Sequence, residues 1–482
     1  LNIGSRTQAP IVKLFRHPIS DYEQIAAHLR PAQRRERGGH AARIMGVFVF
    51  PLSCHADSQI TKMTLPLLGE RDMYDLTMHA RSIARHFLPG DFIADPSLLK
   101  EPNRQVVVDN AVQIGANGFT AVAFLKSTVR GMTIHQVTDM AQLLVLRHVS
   151  KNIRRITGAT QDNRQFIIEC VRTMLREGTA YRVYKFDIKS FYESANVEAI
   201  LDRLRNEEGF SGQSAIALST FFTIARAAGI SGLPRGVGLS ATLAEYLLRP
   251  FDESIAAMPH VWFYARFVDD IFVVTSGRED REEFQGHAKA SLPDGLEFNQ
   301  KCEVFDFQEY ARSRIGPAHA IDFLGYRFRV HYPERPRDKP VMRTVMLDIA
   351  PTKVRRLKTR IAKSLLQFSV DANYVDLRAR FRLITGNFNF VDRATGIRRV
   401  SGIYFNYPLV DLASSTAIPD LDKFLRNMVM SPHTGNKLRP ALSPAQRREL
   451  VRLTFRNGHA KKRFYSFCPA RLVQLRSVWT HA

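Results

Sequence analysis

The chain has 482 residues, enough for two or three packed units rather than one core. A hydrophobic share of 45% and an aromatic share of 10% exclude a disordered polymer. With 69 Lys+Arg against 46 Asp+Glu the net charge is +23, which points to a polyanionic partner, most simply DNA or RNA, beside the plainer reading of a basic soluble surface.

Cys54, Cys170, Cys302 and Cys468 are scattered and show no zinc-ligand spacing, so reduced thiols in ordinary packing are expected. The longest apolar runs, such as Ile44 to Leu52, fall short of the roughly 20 residues of a membrane span, and no signal-peptide pattern is visible. A cytoplasmic protein without a membrane partner is the expectation.

In chain order, residues 1–62 read as a basic N-terminal extension, with Arg34-Arg35-Glu36-Arg37-Gly38-Gly39 a poor core former. Pro31 to Glu36 recurs as Pro444 to Glu449, two similar helix starts rather than a structural repeat. Residues 63–180 read as mostly helical. Met140 to Arg155, and Phe166 to Leu175 after it, place apolar residues at three- and four-residue spacing. Gly178 closes the second helix, and Arg182 to Ile188 then alternates as a strand. Helices are expected over Asn196 to Leu204 and Ser214 to Ala228. A β-hairpin follows, with Val261 to Val268 and Ile271 to Val274 flanking Asp269-Asp270. Next come a helix (Arg281 to Ser291) and strands around Cys302 to Phe307 and Phe323 to Val330. Pro333, Pro336 and Pro340 mark a linker, Lys353 to Phe368 reads as a basic helix, and the tail from Lys437 has Glu449 as its only acid.

Asp269 and Asp270 lie between two runs fit for a buried sheet, where unpaired carboxylates cost several kcal/mol each. A plain turn would explain an Asp-Asp pair alone. Tyr184-Lys185-Phe186-Asp187 supplies a second strand ending in a carboxylate, and two strands delivering Asp to one sheet edge make a hard-oxygen site suited to Mg²⁺. In-line phosphoryl transfer uses such carboxylates to hold two ions about 4 Å apart.

Phe186-Asp187-Ile188-Lys189-Ser190-Phe191-Tyr192 resembles motif A of reverse transcriptases, and Phe267-Val268-Asp269-Asp270 their motif C. Leu233-Pro234-Arg235-Gly236-Val237-Gly238-Leu239-Ser240 resembles motif B, Leu296 to Lys301 motif D, and Phe323-Leu324-Gly325-Tyr326 motif E, the primer grip. Each motif is weak alone; their order is specific. The resemblance implies an α+β right-hand polymerase, with fingers and palm (an antiparallel sheet packed on helices) and an α-helical thumb. The palm would span 181–335, with fingers segments interleaved, and the helical basic thumb and C-terminal region 350–482. The implied activity is RNA-directed DNA polymerisation with two Mg²⁺ ions, Mn²⁺ being an alternative.

The resemblance also implies roles. Asp187, Asp269 and Asp270 would be the metal ligands, with Ile188 beside them. Tyr192 would stand as a steric gate against the ribose 2′-hydroxyl, although it also reads as a core aromatic. Ser190, Phe191, Arg235 and Gly236 would line the nucleotide site. Lys301 would serve the departing pyrophosphate, with a solvated surface lysine as the alternative. Arg164 is the chosen fingers arginine for the triphosphate, with Arg154 and Arg155 competing. Gly238, Ser240, Phe267, Phe323, Leu324, Gly325, Lys353, Arg355 and Arg356 would face primer and template. Arg235 and Ala241 depart from the family's Gln and Pro, and Phe267 from its Tyr; none is a metal ligand.

Asp187 to Ser194, the motif B arginine, Leu383 to Phe388 and Gly402 to Tyr407 together resemble one bacterial branch, the unknown-group, defence-associated reverse transcriptases (DRT) that include the AbiK-type enzymes. That kinship implies anti-phage defence, a structured non-coding RNA, nascent DNA and dNTPs as partners, and a homo-oligomer or a second reverse transcriptase. Lys353, Arg355, Arg356, Lys358, Arg360 and Lys363 crowd one helix suited to phosphates, and Lys461-Lys462-Arg463-Phe464-Tyr465 mixes charge with aromatics as nucleic-acid surfaces do. The competing readings are a retron or group II-like enzyme, and an inactive RNA-binding scaffold.

Overall fold

The computed structural model describes residues 13–14, 75–129, 131–300, 302–308, 316–332, 342–392, 397–430 and 442–479, with backbone alone for 13–14 and 316–318. Of the basic extension only strand β1 (Lys13–Leu14) is described, and the proline-marked linker lies outside these residues. Helices α1 (Ala80–Ala84), α2 (Pro89–Ala94) and α3 (Glu101–Asn117) lead to strands β2 (Phe124–Val129) and β3 (Met132–Val137). Then follow α4 (Met140–Thr157), α5 (Arg164–Leu175), β4 (Tyr181–Asp187), α6 (Phe191–Ser194), α7 (Val197–Arg205), α8 (Gly212–Ala227) and α9 (Gly238–Ala256). The hairpin β5 (Val261–Phe267) and β6 (Asp270–Thr275) precedes α10 (Arg281–Ala290), β7 (Glu303–Phe307), β8 (Gly316–Phe323), β9 (Tyr326–Tyr332) and β10 (Thr344–Ile349).

The C-terminal region comprises α11 (Pro351–Asp371), α12 (Tyr374–Thr385), β11 (Asn387–Val391), β12 (Arg398–Gly402), α13 (Ile403–Asn406), α14 (Ala417–Met430), α15 (Pro444–Val451), α16 (Phe455–Ala460), β13 (Phe464–Tyr465) and α17 (Pro469–Ser477). Side-chain oxygens of Asp139, Asn163, Asn196, Ser211, Asp280 and Asn373 accept first-turn amides and fix where α4, α5, α7, α8, α10 and α12 begin. No helix among the described residues is long and apolar enough to cross a membrane.

The central sheet is antiparallel with strand order β1-β5-β6-β4-β7. Side chains alternate between its faces. Tyr184, Phe186, Tyr264, Ile271 and Val273 join a core with α3, α4, α8 and α9. Val183, Phe263, Ala265, Phe272 and Val274 face the opposite way, into a core shared with α5, β8–β10 and the C-terminal helices. A register shift between Val261 and Phe263 puts these two residues, two apart, on opposite faces. The sheet is thus buried on both sides, which explains its nearly unbroken apolar strands.

The structure corrects one expectation, the strand over Phe323 to Val330, and adds sheet elements to two largely helical regions. The stretch over 63–180 is interrupted by the β2–β3 hairpin, whose strands are largely exposed and carry no clean apolar alternation. Phe323 to Val330 is not one strand: Leu324 and Gly325, at φ 45 and 82, turn the chain between β8 and β9. The C-terminal region is not wholly helical, since β12-β11-β13 forms a three-stranded sheet within it. Asp348 on β10 anchors that region to the rest: its buried carboxylate accepts from the Ser415 hydroxyl and from the amides of Thr416 and Ala417 at the start of α14.

Candidate active site

Asp187 ends β4 and Asp270 begins β6, and the two are direct partners in the antiparallel ladder. Directly opposed residues share a face with Cβ atoms about 5 Å apart. The Ile188 amide donates to the Asp269 carbonyl at 3.3 Å, drawing the third acid to the same edge. Asn299 completes the frame: its amide donates to the Asp187 carbonyl (2.7 Å) and its side chain to Asp187 Oδ2 (3.1 Å).

The turn is held from below. Val268 stands at φ 61, a conformation that costs a β-branched residue about 1–3 kcal/mol. Its carbonyl accepts from Arg266 Nη1 at 3.1 Å. Arg266 is itself buried between Glu245 (2.7 Å) and Asp252 (2.8 Å) of α9, and Asp252 also accepts from the Tyr264 hydroxyl. These carboxylates hold the guanidinium firmly protonated despite its burial. A charged anchor locked into α9 therefore aims the backbone that presents Asp269 and Asp270. The single arginine inside an otherwise apolar strand was a visible signal for this residue, and Asn299 lay within the quoted motif D; neither was assigned a role from the sequence.

Burial, then the neighbouring charges of Asp269 and Asp187, push the Asp270 carboxyl up to about 6, against the pull of Lys185 and Lys353. Asp269 is also raised, by burial and by Asp187, although its own backbone amide and Arg235 lower it. As placed, no three His, Cys, Asp or Glu side chains among the described residues converge to enclose an ion. Mg²⁺ typically takes one or two protein carboxylates and completes its shell with water and substrate phosphates. Crowded carboxylates whose mutual repulsion a cation would relieve fit that partial shell; Asp187, Asp269 and Asp270 would hold it.

Tyr192 sits half-buried on α6 against a cleft of about 320 Å³ lined by Arg154, Thr160, Tyr192, Thr242, Glu245 and Val268. The Arg235 guanidinium lies over its ring at 4.9 Å and makes two hydrogen bonds to Glu193, at 2.5 and 3.0 Å. Ser190, at φ 46, makes the bend from β4 into α6.

Several expected contacts go elsewhere. The Arg164 guanidinium donates to the Leu324 and Asn406 carbonyls and lies 5.2 Å from the Tyr326 ring centre, so it fastens the β8–β9 turn instead of reaching for a triphosphate. Arg154, its competitor, lines the cleft and donates to Thr242 Oγ1. Gly236, at φ 97, lies close against β3: a Cβ there would stand 2.4 Å from the Ile134 side chain and 2.7 Å from the His135 carbonyl. Ser240 is buried, its hydroxyl donating to the Pro234 carbonyl. Phe191 and Phe323 are buried core residues, and Ile188 is buried too. Phe267 and Leu324 pack against the second core.

Gly238 opens α9 with free space where a side chain would be. Lys353, in the first turn of α11, packs beside Gly325 and acts electrostatically on Asp270. Arg355 is exposed and Arg356 half-buried on the same helix. Lys301 lies outside the described residues.

Residues 128–328 match the family described as reverse transcriptase (RNA-dependent DNA polymerase). No curated protein matches the chain. Among solved structures, apo telomerase from Candida tropicalis, truncated from its C-terminal domain, is similar at 14% identity and a TM-score of 0.30, with 46% of this chain and 58% of that one covered. Telomerase from Candida albicans, in complex with the TWJ fragment of telomeric RNA, is similar at 13% identity and a TM-score of 0.30, covering 79% and 66%. The chain spans less than two thirds of the length of either. The interval that matches the reverse transcriptase family, residues 128–328, therefore holds Asp187, Asp269 and Asp270 and strands β4–β7 of the central sheet.

Proposed function

We propose that the chain is an RNA-directed DNA polymerase that adds dNTPs to a 3′-hydroxyl, with Asp187, Asp269 and Asp270 as the carboxylates that hold Mg²⁺. The observation that carries this reading is the pairing of Asp187 with Asp270 across β4 and β6, with Asp269 tied to the same edge through Ile188. When bound, divalent cations would neutralise charge developing on the transferred phosphoryl group and lower the barrier to attack. The protein's own share is placement. Arg266 and Asn299 fix the turn and strand end that present the acids, and Tyr192 lies one short helix away, beside the cleft where a sugar would sit.

The test is primer extension by the purified full chain on an RNA template with Mg²⁺ and dNTPs. Asp269→Asn removes one charge from the cluster. Loss of several kcal/mol of charge stabilisation corresponds to about a thousandfold fall in incorporation. No product from either wild type or variant, with RNA binding intact in both, would favour the scaffold reading.

The finer assignment is a defence-associated bacterial enzyme working with a structured non-coding RNA, alone, as a homo-oligomer or beside a second reverse transcriptase. Its support is the set of residues around Asp187, Arg235, Leu383 to Phe388 and Gly402 to Tyr407. Asn387, at the centre of the last two, is buried and ties three segments together: its side chain donates to the Gly458 and Arg463 carbonyls and accepts from the Tyr404 amide. Sequencing the RNA that co-purifies, and any DNA copied from it, checks this assignment directly.

A further inference from the structure

The C-terminal sheet and the short helix after it carry an aromatic and basic surface that the proposed chemistry does not use. Phe464 on β13 and Phe405 on α13 are both exposed, at 46% and 36%, and their rings meet edge to face with centroids 6.4 Å apart. Val400 of β12, 50% exposed, lies on the same sheet face as Phe464 by the strand register. Lys462 places its ammonium 4.4 Å from the Tyr404 ring centre and follows the exposed Lys461, while Arg398 and Arg399 are exposed farther along the same sheet. Between Asn387 and Tyr407, and from Lys461 to Ser466, Asp392 is the only acid in the sequence, and it pairs with Arg399.

The surface is tied to the acid cluster by a short chain of contacts. Lys353 acts on Asp270 and packs beside Gly325; Arg164 bonds the carbonyl of Leu324 and that of Asn406, and Asn406 follows Phe405. Exposed aromatic rings set among cations suit a ligand with flat faces and a negatively charged backbone. A folded protein partner would pair the apolar rings but leave the surrounding cations without counter-charge. A duplex hides its base faces and would leave the rings unused.

We propose that Phe405, Phe464 and Lys462 form a stacking site for unpaired nucleic acid, holding a single-stranded segment next to the β8–β9 turn. The site needs neither metal nor dNTPs, so its test is independent of polymerase activity. Fluorescence anisotropy of the full chain, without Mg²⁺, is measured with labelled oligo(U) and oligo(dT) of about 12 nucleotides and with a blunt duplex. Stacking is worth about 1–3 kcal/mol per base, so the Phe405→Ala/Phe464→Ala pair weakens single-strand binding by about tenfold or more and leaves duplex binding in place. Phe464→Trp preserves binding, and Lys462→Gln reduces the salt dependence by about one ion. Tighter binding of oligo(U) or of oligo(dT) would identify which strand occupies the site, and either result supports it. Unchanged single-strand affinity in the double variant overturns the proposal. So does an equal loss of duplex binding, or wild-type self-association that the double variant abolishes, which would mark a protein-docking face instead.

Discussion

At the scale of single residues, Arg235 is where the proposed sugar selection can be tested. It stands where the related motif usually carries glutamine, and it is held by two hydrogen bonds to Glu193 while covering the Tyr192 ring. Those bonds hold the Glu193 carboxyl below its ordinary range, so the pair persists through neutral pH and is lost only on acidification through that lowered pKa. A glutamine could neither carry the charge nor present the two-pronged donor. We expect Glu193→Gln to loosen the Tyr192 ring and reduce the preference for dNTPs over NTPs. The pair is partly exposed and worth at most about 1 kcal/mol, so the ratio of kcat/KM values should fall by no more than about fivefold. The exchanged pair Glu193→Arg/Arg235→Glu should recover part of that loss. An unchanged ratio in Glu193→Gln would show that the pair does not govern the sugar.

At the scale of elements, the Arg164 contacts separate two roles that the sequence could not. Its partners Leu324 and Asn406 are 160 and 242 residues away, and no local pattern announces such a bond. Arg164→Met removes hydrogen bonds from a charged donor and leaves two carbonyls without it, a cost of about 1.5–3 kcal/mol. The expected result is a lowered Tm with little change in the KM for dNTPs in the folded protein; a triphosphate-gripping arginine would instead raise KM sharply. The same division governs what was legible elsewhere. Strands β5 and β6 declared themselves because burial on both faces demands nearly continuous apolar residues, β4 by its alternation, and the acids that end those runs stand out. The β2–β3 hairpin did not, because Leu125, Val129 and Met132 are exposed and the burial pattern has no period. The sequence motif around Gly236 could not show that β3 occupies the space beside it.

At the scale of the whole molecule, the central sheet is shared property. One face is covered by α3, α4, α8 and α9, the other by α5, β8–β10 and the helices beyond residue 350. The matched reverse transcriptase interval ends at residue 328, so it contains strands β4–β7 of the sheet without the whole of that second cover. A chain stopped after Tyr332 would lose β10 and α11–α17 and bare part of the apolar layer that includes Phe323, Phe328 and Ile321, while Phe263, Phe272 and Val274 beneath would lose the layer that packs around them. Each large apolar side chain returned to water costs about 1.5–3 kcal/mol, and a handful exceeds the 5–15 kcal/mol by which a domain is usually stable. The truncated chain should therefore bind a hydrophobic dye, run as aggregates on gel filtration and lack a cooperative melt, whereas the full chain melts cooperatively. A truncated protein that is monomeric and melts within a few degrees of the full chain would show that the sheet needs only its N-terminal cover. The C-terminal region would then be an appended module; with the expected aggregation, it is one of the two covers the central sheet needs to fold.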